Sequence, residues 1–311
     1  MNKLTEADKK PLSTVEFASS NALMQYDQFD VQKWQKYIEK EIGFVLPDIQ
    51  LQWFINAIEC VAKSNGLTAE QLWYNLQKDN ELRQRLLDKV LIHESRFFRH
   101  KPSIDFVIKC ASQYRTVDNN KALFRIWSVG CASGQEAWSL AMSLSAQQFS
   151  NYSILGTDVS EEAIKNARLG QYDKRQQCLI PQLCQQFIQP LLTKSETNNT
   201  NDSLSPTPEV NDSIQPNWQV EPKLRPHVSF SVHNIIEKTP PTAHPQHVII
   251  CQNMLLYFRK FDQRDILTRL AEQCTLGGYI ILAPGEALFW RPSNMRRIAH
   301  PQVNVWQKIS A

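Results

Sequence analysis

At 311 residues the chain is long enough for two domains, each with its own buried core. A formal charge of +3, with no dense run of Lys or Arg, argues against binding dominated by nucleic-acid phosphates. No apolar stretch reaches the roughly 20 residues a membrane span needs. The seven scattered cysteines form no C-x-x-C pair, and the N-terminus lacks the apolar core of a signal peptide. Reduced thiols, no metal site and a cytoplasmic location are the expectation.

Residues 1–28 read as a polar arm. Residues 29–115 read as a small helical domain with a linker. Trp34, Tyr37 and Ile38 keep three/four spacing up to Gly43, and Asp48 is the expected cap of a helix carrying Phe54, Ile55, Ile58 and Val61. Thr68 caps a third helix, and Glu81 to Ile92 form a fourth. In His93-Glu94-Ser95-Arg96-Phe97-Phe98-Arg99-His100, two adjacent Phe flanked by Arg and His do not fit one helical face. That stretch is either a linker with aromatic anchors or one folded over a ligand, with Arg99 facing an anion. A further helix follows to about Tyr114.

Residues 116–311 alternate strand and helix signals, which predicts a mostly parallel, doubly wound sheet. The apolar run Phe124 to Val129 ends in the small-residue loop Gly130-Cys131-Ala132-Ser133-Gly134, and helix formers follow from Gln135. Strand, glycine loop and helix open a nucleotide-binding unit. The pattern is neither the full dinucleotide fingerprint nor a P-loop. A second strand ends at Asp158, with Ser160 capping the next helix. Further strands at Val228–Val232 and His247–Cys251 are followed by Asn234 and by Gln252-Asn253, and a strand Tyr279–Ala283 follows Gly277-Gly278. Ligands in such sheets bind at the carboxyl ends of the strands.

Asp158 lies 28 residues after Gly130, where an acid accepts hydrogen bonds from a ribose diol. NAD and S-adenosylmethionine both satisfy this. The missing third glycine favours the latter. So does Glu136, an acid unwelcome beside a pyrophosphate and suited to an α-amino group. The plain alternatives are a loop acid for Asp158 and a first-turn acid complementing the helix dipole for Glu136.

Several ordered motifs resemble the chemotaxis-receptor glutamate O-methyltransferases, the CheR family. These are Phe97-Phe98-Arg99, Trp127-Ser128 with the Gly130–Ser139 loop and helix, Asp158-Val159, Ala167-Arg168-Leu169-Gly170-Gln171-Tyr172, Asn234-Ile235-Ile236, and Cys251-Gln252-Asn253 with Tyr257-Phe258. The resemblance runs from about Val31 to the last strand. It implies a Rossmann-like class I methyltransferase domain behind a helical N-terminal domain, with S-adenosylmethionine as cofactor and S-adenosylhomocysteine as product. Carried over residue by residue, His93, Ser95, Arg99, Gly130, Glu136, Asp158, Asn234, Ile235, Gln252 and Asn253 are expected at the cofactor. Arg99 and Tyr257 are expected at the carboxylate or the methyl-transfer pocket. The implied partner is a methyl-accepting chemoreceptor, itself expected to be membrane-bound, acted on by a monomer that binds no nucleic acid and does not insert into the membrane.

This chain also departs from the family. His93 stands for an Asn, Ser95 for a Thr, Gln252 for an Arg, and Ala283-Pro284-Gly285-Glu286 for Gly-His-Ser-Glu. The family's arginine-rich second helix holds Ala57, Cys60, Val61 and Lys63 in the corresponding register. Such a divergent member resembles the PilK branch of type IV pilus chemosensory systems. A cofactor-binding module without catalysis and a nucleic-acid methyltransferase are the competing readings. The second lacks the Pro-Pro-aromatic sequence expected after Asn253.

Between the second and third core strands, 173–227 is the place of a β-subdomain in this family, and its residues leave open whether one is retained. Within it 193–217 is Asn/Ser/Thr/Pro-rich and reads as a flexible insertion. Deletion of Lys194–Gln215 is expected to leave folding and S-adenosylhomocysteine binding intact. Loss of the thermal transition would contradict that expectation.

Overall fold

The computed structural model describes residues 30–91, 94–116, 122–191 and 216–310. The polar arm 1–28, His93 and the part of the insertion from 193 to 215 lie outside the described residues. No helix among the described residues is long and apolar enough to cross a membrane.

Four helices form one apolar cluster. Helix α1 (Val31–Ile42) starts where the Asp30 side chain accepts the Lys33 N–H, and it buries Trp34, Ile38 and Ile42 at four-residue intervals. It stops at Gly43, whose φ of 77° is left-handed. Helix α2 (Leu51–Ser64) follows a 3-10 turn at Asp48–Gln50, so Gln50 holds the cap position expected of Asp48. Helices α3 (Ala69–Asn75) and α4 (Asn80–Val90) are capped by Thr68 and Asp79. Phe54, Ile58, Leu72 and Leu86 complete the cluster. Helix α5 (Lys101–Thr116) buries Ile104, Val107 and Cys110 in the core of the sheet instead.

The α/β part runs β1 (Phe124–Val129), α6 (Gln135–Ala146), β2 (Tyr152–Asp158) and α7 (Glu161–Leu169). Next come β3 (Gln171–Tyr172), α8 (Lys174–Gln177), β4 (Ile188–Pro190) and β5 (Trp218–Val220). The chain closes with β6 (Val228–Val232), β7 (Gln246–Cys251), α9 (Lys260–Gln273), β8 (Cys274–Leu282), β9 (Met295–Ile298) and β10 (Asn304–Lys308). The seven-stranded sheet has the order β6-β2-β1-β7-β8-β10-β9. Strands β6, β2, β1, β7 and β8 are parallel, and β10 is antiparallel to both its neighbours. Along β1, Phe124 and Ile126 face one core and Trp127 and Val129 the other, as alternation requires. Such central parallel strands are covered on both faces. The chain moves outward from β1 to β6 and then returns to β7 on the other side of β1. That reversal creates a crevice at the carboxyl ends of β1 and β7.

Two details differ from expectation. Strand β8 begins at Cys274 and passes through Gly277-Gly278 as an irregularity in its pairing with β7, where a turn before Tyr279 was expected. The β3-β5-β4 sheet is present and antiparallel, so a small β-subdomain is retained.

The end of α1 is packed against the sheet loops. A Cβ on Gly43 would lie 2.9 Å from Ile236 and 2.9 Å from Phe258, in a left-handed backbone. Gly43→Ala should therefore cost about 2–4 kcal/mol, from the left-handed conformation and the overpacking together. Scanning calorimetry should show a clearly lowered thermal midpoint. An unchanged midpoint would mean that the close approach does not persist in solution.

Candidate active site

The loop after β1 is shaped by backbone geometry. Gly130 has φ 67°, and a Cβ there would come within 3.1 Å of the Met254 sulfur. Gly134, at φ 88°, precedes α6 and gives its first turn no side-chain cap. A Cβ on it would meet Ala167 at 2.9 Å. Between them Ala132 is also left-handed, at φ 47°. This conformation, uncommon for a non-glycine residue, is held by hydrogen bonds. The Cys131 N–H donates to the Thr157 carbonyl at 2.9 Å, and the Ala132 N–H to the Asp158 carboxylate at 2.9 Å.

Asp158 thus ties two loops together. Its second oxygen accepts the Ser160 N–H at 3.0 Å, while the Ser160 hydroxyl caps α7. Glu136 sits in the first turn of α6, and the surface it retains opens into the crevice. Burial pushes its carboxyl up. A 2.6 Å hydrogen bond from Ser128 and the nearby Arg99 charge draw it back down. A half-hidden acid with one hydroxyl partner suits a cationic ligand.

The linker closes one side. Phe97 is buried between Tyr172 and Trp218, with ring centroids 4.8 and 5.2 Å away, so the β-subdomain anchors it. Phe98 is left-handed at φ 53°, and its N–H donates to the Ser139 hydroxyl of α6 at 3.0 Å. Arg99 follows at the crevice and donates to the Glu94 carbonyl at 2.7 Å. The segment is thus an aromatic anchor, and its Arg99 end lines the crevice.

The helical region forms the opposite wall. Ile42 and Phe44 line the crevice, and Phe44 stacks on Tyr257 with centroids 5.0 Å apart. The Val45 N–H donates to the Tyr257 carbonyl at 2.8 Å, Asn234 Nδ2 to the Glu41 carbonyl at 2.8 Å, and Gln84 Nε2 to the Val159 carbonyl at 3.0 Å. Arg259 and Glu39 form an ion pair beside these bonds. Burial and the Glu94 charge raise the Tyr257 hydroxyl pKa, so it stays protonated and able to donate.

The structure brings ten of the candidates to one crevice: Ser95, Arg99, Gly130, Glu136, Asp158, Asn234, Ile235, Gln252, Asn253 and Tyr257. His93 lies outside the described residues. The crevice and its open mouth together enclose about 1170 Å³ of non-atom space. Some side chains are already engaged. Gln252 Nε2 donates to the Leu282 carbonyl at 3.1 Å and to Ser103 Oγ of α5 at 3.0 Å, a contact without a local signal in the chain. Asn253 is left-handed at φ 58°, a conformation Asn tolerates. Burial raises the Glu286 carboxyl, and the N–H groups of Ala283, Asn253 and Leu255 draw it down. Phe44, Thr157 and Met254 also line the crevice and were missed. Phe44, just beyond the Gly43 helix stop, carried no local signal of its contact.

The strand order, with one antiparallel strand near its end and a crevice at the β1/β7 switch point, is that of the class I S-adenosylmethionine-dependent methyltransferase fold. Residues 93–303 match the family model described as CheR methyltransferase, SAM binding domain. The chain belongs to the CheR methyltransferase family. A chemotaxis protein methyltransferase of Listeria monocytogenes is 25% identical over 229 residues, covering 73% of this chain and 78% of that protein. Chemotaxis protein methyltransferase 1 of Pseudomonas aeruginosa is 24% identical over 280 residues, covering 86% and 94%. Among solved structures, the magnesium protoporphyrin IX methyltransferase of Synechocystis with bound SAM covers 82% of this chain and 97% of its own, at 12% identity and a TM-score of 0.34. S-adenosylmethionine is the cofactor. The residues present fit it, because Gly130 leaves a space that a Cβ would fill and Glu136 offers a half-buried acid facing the crevice.

Proposed function

We propose that this methyltransferase of chemotaxis signalling forms methyl esters on glutamate side chains of a chemoreceptor. The observation that carries the reading is the pairing of Arg99 and Tyr257 on the crevice that also holds Glu136 and Asp158. A guanidinium and a protonated hydroxyl are suited to hold a carboxylate. Bound there, S-adenosylmethionine supplies an electrophilic methyl that an already ionised carboxylate can take without a strong base. Glu136 would meet the cofactor's amino group and Asp158 its ribose hydroxyls. Gly130 would let the backbone approach, and Asn234, Ile235, Gln252 and Asn253 would frame the far end. Ser95 and Arg99 would close the linker side. The work of the protein is positioning and exclusion of water. A receptor of a type IV pilus chemosensory system, as in the PilK branch, accommodates the altered second helix.

The test is incubation with labelled S-adenosylmethionine and membranes carrying candidate receptors, followed by release of base-labile methanol. Label that survives base would remove the ester reading. Tight S-adenosylhomocysteine binding without any transfer would favour a signalling module that acts through contacts.

A pH dependence follows from Glu136. Its pKa is raised in the free protein, and a cationic amino group would lower it on binding. Affinity for S-adenosylhomocysteine should therefore strengthen as pH rises through the raised value, and fall away below it. Calorimetry in buffers of different ionisation enthalpy should detect protons released on binding in that window. Glu136→Gln should abolish the release. The same release from the variant would assign it to another group.

A further inference from the structure

His100, Ser103 and Gln252 all line the cofactor crevice and share one hydrogen-bond network. His100 stands just before α5, Ser103 in its first turn, and Gln252 just after β7. The Ser103 N–H donates to the His100 carbonyl at 3.1 Å, which fixes these two residues relative to each other. Ser103 is buried, and the other two are half-buried. Donor and acceptor chemistry sets each orientation. The Leu282 carbonyl can only accept, so the Gln252 atom 3.1 Å from it is the amide nitrogen. The same nitrogen donates its other hydrogen to Ser103 Oγ at 3.0 Å. The Ser103 hydroxyl has one proton of its own, and His100 Nδ1, 2.7 Å away, is the acceptor it meets. The imidazole then carries its proton on Nε2. Burial lowers the His100 pKa, in keeping with an uncharged ring. What remains of Gln252 for a ligand is Oε1. No hydrogen bond reaches this oxygen among the described residues, yet it is not sealed in the interior.

We propose that His100 and Ser103 are positioning residues for the cofactor. They hold Gln252 so that its amide oxygen, and not its nitrogen, faces the crevice, where it accepts a hydrogen bond from a hydroxyl or N–H of S-adenosylmethionine. A free glutamine side chain samples several rotamers and both faces of its amide, and fixing it costs up to about 2 kcal/mol. Here the Leu282 carbonyl at the end of β8 and the Ser103 hydroxyl on α5 fix it before any ligand arrives. The ligand then meets an oriented acceptor and does not bear that cost. The polarity is particular to this chain. Arg, which Gln252 replaces, has five donors and no acceptor, so it could not serve a hydroxyl or an amine in this way. The serine is as important as the glutamine, because without it one amide hydrogen loses its partner and the amide is free to turn. His100 acts one step further back, by taking the Ser103 proton and leaving the hydroxyl oxygen turned toward Gln252. This role rests on the crevice as the cofactor site, and not on which acceptor takes the methyl.

The test is a double-mutant cycle on the full chain, read by calorimetric titration with S-adenosylhomocysteine. Gln252→Ala should weaken binding roughly tenfold, the scale of one hydrogen bond. Ser103→Ala should weaken it roughly fivefold in the parent. In the Gln252→Ala background the same change should leave affinity where it is, since Ser103 then has no amide to orient. Equal losses from Ser103→Ala in both backgrounds would overturn the proposal, because Ser103 would then act through the packing of α5 alone. So would parental affinity in either single variant. His100 supplies a second arm that spares the buried serine. His100→Ala should cost about threefold, and His100→Asn, whose side-chain oxygen can take the place of Nδ1, should recover most of it. Equal affinity in the Ala and Asn variants would overturn the part given to His100. None of these titrations involves methyl transfer, so the ester assay separates the two readings. Receptor esters formed alongside an uncoupled cycle would sink the network and leave the function. A coupled cycle with no receptor methylated would retain the network and remove the function.

Discussion

An Asp158→Ala protein is expected to lose at least about a hundredfold in affinity for S-adenosylhomocysteine, or about 2.7 kcal/mol. The carboxylate accepts N–H groups from Ala132 and Ser160, each within 3.0 Å. Its removal leaves two half-hidden donors without that partner, at about 1–3 kcal/mol each. The left-handed Ala132 then loses one of its restraints, and the loop after β1 loses its shape before any ribose contact is counted. Asp158→Asn keeps one acceptor oxygen but turns an amide N–H₂ toward the other donor, so an intermediate loss is expected. Calorimetry reads both variants. An Asp158→Ala protein that binds within threefold of the parent would show that this residue neither shapes the loop nor meets the ligand.

Arg99→Ala is expected to lower kcat by about 10²–10³-fold, the usual effect of removing one positioned electrostatic donor, while cofactor affinity changes much less. The guanidinium stands on the crevice with Tyr257, and its charge reaches Glu136 and Glu286. Arg99→Lys keeps the charge without the planar fork and should recover only part of the rate. The readouts are initial rates of base-labile ester formation and a separate S-adenosylhomocysteine titration. Unchanged kcat would assign Arg99 a structural role, in which its bond to the Glu94 carbonyl shapes the linker. A fall in affinity as large as the fall in kcat would assign it to the cofactor instead.

Much of this fold is legible in the sequence because central parallel strands are buried on both faces. Phe124–Val129 and Gln246–Cys251 are therefore near-continuous apolar runs, bounded by glycine or by polar residues. Helices α1 and α7 announce themselves through Asp30 or Ser160 and through Gly43 or Gly170. Strand β9, Met-Arg-Arg-Ile, carries no such signal. It pairs on one side only, and half its residues are exposed. The second helix gives a subtler lesson. Ala57 and Val61 are core residues, so their side chains could not have faced a partner, while Cys60 and Lys63 are exposed. Chain spacing brought the crevice residues into view as separate strand ends. It could not show that Gln252 would bind Ser103 of α5, or that Asp158 would spend both oxygens on backbone groups. Those contacts depend on how distant segments meet.

The bonds from Glu41, Val45 and Gln84 to the strand-end loops have a thermodynamic consequence. Three of the loops that frame the crevice are each fastened to the helical region. Occupancy of the crevice and folding of those helices are therefore one linked equilibrium. Bound product should slow amide exchange in α1 as well as in the sheet, and loosening α1 should speed product escape. Heat that melts the four-helix cluster is therefore expected to weaken the hold on ligand before the sheet itself unfolds.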